Sequence, residues 1–161
     1  MRVSFANRAT TGARVRSFTL ARILLLSLMS LAATGCTVSL IAPYDETTVT
    51  SVTDLLKRTD MFLIQQQSLL DSGQQSKTTY ENNKAWYDQT EVDLNAIIIR
   101  AQAIPKNDTT VKQLKNLEAA LQGVIDNNKA GFTSEYLALE RRIVDQAIGA
   151  ILAAEFSKKQ P

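Results

Sequence analysis

From about residue 46 to residue 157, apolar side chains recur every three or four positions, interrupted by short polar stretches. That spacing is helical, because residues at i, i+3, i+4 and i+7 share one face of an α-helix. The first stretch predicts a helix over about 46–71, with Val52, Leu55, Leu56, Phe62, Leu63 and Leu70 on its apolar side. Asp45, Thr47 or Thr48 can cap its start, Asp54 and Arg58 stand at i,i+4, and Asp71-Ser72-Gly73 ends it. The second predicts a helix over about 79–104, opened by a Thr78–Glu81 capping box and stopped by Pro105. Tyr80, Tyr87, Leu94, Ile98 and Ala101 form its stripe, widened by Trp86, Ile97 and Ile99. Ile97-Ile98-Ile99 alone could be a strand, but the helical pattern on both sides overrides it.

The third helix, about 109–129, has the cleanest pattern: Val111, Leu114, Leu117, Leu121, Val124 and Ile125. Asn107 or Asp108 can cap it, and Asn127, Asn128 and Gly131 mark its end. The fourth, about 134–157, opens at Thr133 or Ser134 and turns Leu137, Val144, Ile148, Ile151 and Leu152 inward. Ile143, Ala147 and Phe156 extend that band, and Arg141–Asp145 forms another i,i+4 pair. Long helices with short connections predict an all-α fold, an antiparallel bundle of three to four helices in residues 45–161. The version with three has the first helix splayed from the core.

The amino-terminal third reads differently. Residues 1–22 hold Arg2, Arg8, Arg14, Arg16 and Arg22 and no acid, and residues 23–33 are almost entirely apolar. Small residues follow. A basic region, a short apolar run and a small-residue exit mark a cleaved secretory signal peptide, and the run falls short of the roughly 20 residues that a spanning helix needs. The compact signal VRSFTLARILLLSLMSLAATGC also suggests a true start near Val15.

The exit itself, Ala33-Thr34-Gly35-Cys36, resembles the lipobox of bacterial lipoproteins. Gly35 and Cys36 match the pattern, and Ala33 stands where Leu is usual. The resemblance implies a type II signal peptide over 1–35, cleaved between Gly35 and Cys36, with Cys36 lipidated and first in the mature chain. Residues 36–44 would then be the lipidated Cys and its tether. Thr37 and Val38, rather than Asp after the Cys, resemble the outer-membrane default. The run CTVSLIAPYDETT with VTDLLKRTDMFL also resembles small uncharacterised helical lipoproteins of Gram-negative bacteria, which implies a fold and an address but no activity. Eight tether residues reach at most about 26 Å. The apolar Val38, Leu40, Ile41 and Tyr44 would pack on the body or lie at the lipid interface.

Composition narrows the chemistry. The 161 residues include 18 Lys or Arg, 16 Asp or Glu, one Cys and no His. Without His there is no imidazole acid–base device and no His metal ligand. The lone Cys cannot make an internal disulfide. The whole chain carries a formal charge of +2, but a chain relieved of its five signal arginines keeps thirteen bases against sixteen acids, a balance of −3. Lys57-Arg58, Arg141-Arg142 and Lys158-Lys159 are isolated doublets on expected solvated faces, so no nucleic-acid stripe is present. Asp88, Glu91 and Asp93 could form a carboxylate site for a cation or for acid–base work, and read first as a solvated face. Tyr80, Trp86 and Tyr87 could line a ligand groove beside Asn82 and Asn83, and read first as core packing. No Gly-rich phosphate loop or nucleophile elbow occurs.

These readings give an expectation: a non-enzymatic cell-envelope lipoprotein, without cofactor or metal. It would be anchored by acylated Cys36 in the outer membrane facing the periplasm, with a binding or scaffolding role. Its partners would be the lipid bilayer and an envelope protein, without nucleic acid; a homo-oligomer would follow if an apolar stripe stays uncovered. The alternatives are an exclusion or inhibitor lipoprotein that blocks an envelope channel or enzyme, and a carboxylate-dependent enzyme or cation binder.

Overall fold

The computed structural model describes residues 40–159. The expected signal peptide, the expected cleavage site at Gly35 and Cys36, and the expected tether up to residue 39 lie outside the described residues. The body is an all-α bundle of four helices: α1 (Glu46–Asp71), α2 (Tyr80–Ala103), α3 (Asp108–Ala130) and α4 (Ser134–Ser157). A short 3-10 turn, Gln75–Lys77, sits in the α1–α2 connection. Each helix packs on its neighbours in sequence, and α4 closes the ring against α1. Short connections between long helices force this antiparallel arrangement. It places the starts of α1 and α3 with the ends of α2 and α4 at one pole. The chain enters at that pole, here called the tether pole.

Val52, Leu55, Ala101, Leu114, Leu117, Val124 and Ile151 are wholly buried and come from all four helices. Each fully buried large aliphatic contributes about 2 kcal/mol through removal from water. Phe132, which the helical stripes do not include, is also buried in the α3–α4 connection. It follows Gly131, whose φ of 103° lets the chain turn back into α4. At the tether pole Pro105 ends the α2 register, and Lys106 adopts a left-handed φ of 62°. The Lys106 carbonyl then accepts the Ala42 N–H at 3.1 Å.

Several local expectations need correcting. The α2 cap is Thr79, whose hydroxyl accepts the Asn82 N–H at 3.4 Å, not a Thr78–Glu81 box. The 3-10 turn runs into Thr78, whose hydroxyl donates to the Gln75 carbonyl, so the helix begins one residue later. Asp54 pairs with Lys57 rather than Arg58, and Arg58 reaches across to Asp93 on α2. Arg141 binds Asp60 on α1 at 2.9 Å instead of Asp145. In both cases an interhelical partner replaces the local one. Ile99, Ile143 and Phe156 face solvent because they sit beyond the edge of the stripe that meets neighbouring helices. Ahead of α1, Ala42 is the buried residue, while Leu40 and Ile41 are exposed. The Lys158 side chain is only 6% exposed, so the Lys158-Lys159 doublet is not a solvated pair.

Each pole is closed by a polar network. At the far pole, Gln66 and Asn83 exchange amide hydrogen bonds of 3.2 and 3.0 Å. Asn83 and the Tyr87 hydroxyl both donate to Asn128 Oδ1, at 3.2 and 2.8 Å, and the Asn128 amide donates to the Thr78 carbonyl at 2.6 Å. Burial pushes the Tyr87 phenol well above its usual range. Also toward the far pole, Glu140 is buried and held by the Asn127 amide, and desolvation raises its carboxyl above the ordinary value.

Candidate functional site

Two places stand out from the packed body: the seam between α1 and α2, and the tether pole. The seam exists because α1 and α2 pack on each other less extensively than the other neighbouring pairs do. The Arg58–Asp93 ion pair bridges it. The Arg58 guanidinium beside Asp93 holds that carboxyl below the usual range. On the tether side of the bridge lies an open hollow of about 790 Å³ lined by Asp54, Lys57, Arg58, Asp93 and Arg100. On the far side lies a hollow of about 780 Å³ lined by Met61, Phe62, Ile64, Leu69 and Trp86. One half of the seam is therefore charged and the other apolar, with Arg58 in the wall of both.

The floor of the apolar half is aromatic. The rings of Phe62 and Trp86 stack at 3.8 Å with an interplanar angle of 7°. Tyr87 packs edge-on against both, at 5.5 and 5.4 Å. Tyr80 stacks on Tyr87 at 5.7 Å. The three aromatic residues singled out in the sequence are thus joined in one run of rings but occupy three environments. Trp86 opens to the seam, Tyr87 is buried with its hydroxyl on Asn128, and Tyr80 lies under the Lys129 ammonium at 5.1 Å. Asn83 belongs to the buried amide network, while Asn82 donates to the Ser76 carbonyl at 3.1 Å. Phe62 and Met61 complete the apolar hollow. Helical spacing places Phe62 on the core stripe and Met61 beside it, and only the openness of the seam makes them part of a hollow.

The carboxylates singled out on α2 do not converge. Asp88 accepts both hydrogen bonds of Lys84, at 2.6 and 2.8 Å. Asp93 is held by Arg58 and by Gln89 at 2.9 Å. Glu91 lines a separate recess of about 60 Å³ beside Trp86 and Tyr87. Among the described residues no group of three or more His, Cys, Asp or Glu could hold a metal ion. The seam thus sets an open apolar hollow beside paired charges.

The tether pole is built from all four helices. Arg100 of α2 binds Asp45 in bidentate fashion, both bonds 2.8 Å, and the Thr48 hydroxyl donates to the same carboxylate at 2.7 Å. Arg100 is the main reason why the Asp45 carboxyl falls to about 2. Glu155 of α4 is 0% exposed and accepts the Asp45 N–H at 3.0 Å and the Thr110 hydroxyl at 2.6 Å. Lys158 pairs with Glu155 and donates to Asn107 at 2.6 Å and to Thr110 at 2.9 Å. The Asn107 amide donates in turn to the Ala101 carbonyl at 2.9 Å. These charges are internally neutralised and fix the point where the chain enters the bundle.

Outside this network the same pole carries Leu40, Ile41, Tyr44 and Phe156. Tyr44 and Phe156 stack at 6.2 Å, and the Lys159 ammonium lies 4.0 Å over the Tyr44 ring. Among the described residues no helix is long and apolar enough to cross a membrane. No family model, curated protein or solved structure matches the chain.

Proposed function

We propose that this chain is a lipid-anchored cell-envelope lipoprotein with a non-catalytic binding or scaffolding role in the periplasm. The observation that carries the reading is the segment Ala33-Thr34-Gly35-Cys36 at the exit of a basic-then-apolar leader, four positions before Leu40. Cleavage before Cys36 and its acylation supply more than one acyl chain, which anchors stably where a single chain holds only marginally. Thr37 and Val38 favour the outer membrane. The binding face under this reading is the α1–α2 seam, whose apolar half offers Trp86, Met61 and Ile64 to an envelope protein. The paired state of Asp88 and Asp93 supports binding over carboxylate chemistry.

Replacing the anchor tests this. Cys36→Ala is expected to abolish incorporation of labelled palmitate and to leave the protein unprocessed or released from the outer-membrane fraction. A variant still processed and still retained at the outer membrane would overturn the reading.

A further inference from the structure

We infer that the tether pole lies in the bilayer interface, so that the bundle stands upright on the membrane instead of swinging from its anchor. This rests on the lipoprotein reading and adds the lipid surface as a direct partner of the folded body.

The tether is not free along its length. Ala42 is buried and its N–H is bonded to Lys106, and Tyr44 stacks on Phe156. Five residues therefore lie between Cys36 and this fixed point, a reach of at most about 20 Å over six steps. Around that point exposed apolar side chains gather, with the exposed Glu46, Lys106 and Asp108 at their margin. Leu40 is 86% exposed, Ile41 55% and Phe156 47%. Tyr44 and Lys159 complete the interfacial composition: an aromatic ring with a polar tip, and an ammonium on a long stem that lies over the rings. Such groups settle at headgroup level, with apolar bodies toward the acyl chains and polar ends in water. The charged groups behind this surface, Asp45, Arg100, Glu155 and Lys158, are bonded to one another. Bringing the pole to the headgroups leaves these four paired, and the exposed Glu46, Lys106 and Asp108 stay in the wet headgroup layer.

An upright bundle also sets the height of the seam. Met61 is one helical stretch of fifteen residues above Glu46, about 23 Å at 1.5 Å per residue. The apolar hollow would then open sideways, clear of the headgroups.

The lipidated protein, reconstituted in vesicles of phosphatidylethanolamine and phosphatidylglycerol, allows a direct test. Cys36 is blocked by lipid, so a nitroxide can be placed uniquely at Phe156→Cys or, as the far-pole control, at Asp71→Cys. The expected result is a label at 156 that collides more with oxygen than with an aqueous nickel chelate, and a label at 71 that does the reverse. Equal access of the chelate to both positions would overturn the inference. Spin–spin broadening confined to 156 would also overturn it, because a second copy would then cover the pole. Flotation separates the two claims. A protein that floats with a water-exposed label at 156 keeps its anchor and refutes the docked pole, and one that does not float refutes both.

Discussion

The two poles of the bundle solve the same problem with opposite chemistry. At the far pole, Gln66, Asn83, Asn128 and Tyr87 close the helix ends with neutral groups. At the tether pole, Asp45, Arg100, Glu155 and Lys158 do so with full charges. Neutral amides cost little to bury once bonded, whereas a buried charge is tolerated only with its partner present. The tether pole is therefore the more exacting joint. It ties the entry point of the chain to the ends of all four helices, and each of its charges depends on another.

Breaking the charged joint gives the largest expected effect. Lys158→Met leaves Glu155 buried beside Thr110 without its cation and is expected to cost about 3–5 kcal/mol, read by urea unfolding. A loss below 1 kcal/mol would show that the two poles are not different in kind. The neutral joint should be more forgiving. Asn128→Ala strips partners from Tyr87, Asn83 and the Thr78 carbonyl, with an expected loss of about 2–3 kcal/mol. If Asn128→Ala proved the worse of the two, the ranking would be reversed and the account with it.

A pH titration of stability sharpens the contrast at lower cost. The Asp45 carboxyl is depressed to about 2 in the folded chain by Arg100. Its contribution is full above the unfolded value of 3.8 and is lost as pH falls toward 2. The amount is about 1–2 kcal/mol, because Arg100 is half exposed and partly screened. The Tyr87 phenol is shifted the other way, by burial. Its contribution is full below the unfolded value of 10.0 and is lost as pH rises past it. Asp45→Asn should therefore flatten the acid limb alone, and Tyr87→Phe the alkaline limb alone. Urea midpoints between pH 2 and pH 11 read both, and a shared limb would contradict the assignment.

Much of the fold was legible because helix-forming signals here are local. Periodicity, Pro105 and Gly131 place four helices whose observed ends lie within about a residue of those read from the pattern. The interhelical polar contacts were not legible. Glu155 and Glu140 look like ordinary solvent-facing acids in an amphipathic pattern, and nothing local shows that Thr110 or Asn127 will meet them. Lys158, too, gains its partners from Asn107 and Thr110, some fifty positions earlier. The candidate groove was legible only in part. Trp86 stood out by residue type, but Met61 and Phe62 became wall and floor only because α1 and α2 leave their shared seam open. Phe132 was missed because a lone aromatic in a connection has no period.

The central claim is that the tether pole is the membrane end of the molecule, held there through Cys36. The most direct test is the mass of the amino-terminal peptide of the protein taken from cell envelopes. The account predicts a peptide that begins at Cys36 and carries a diacylglyceryl group on sulfur, with or without a further acyl chain on nitrogen. A Cys36 with an unmodified thiol, in a chain that still bears Gly35 before it, would contradict the account.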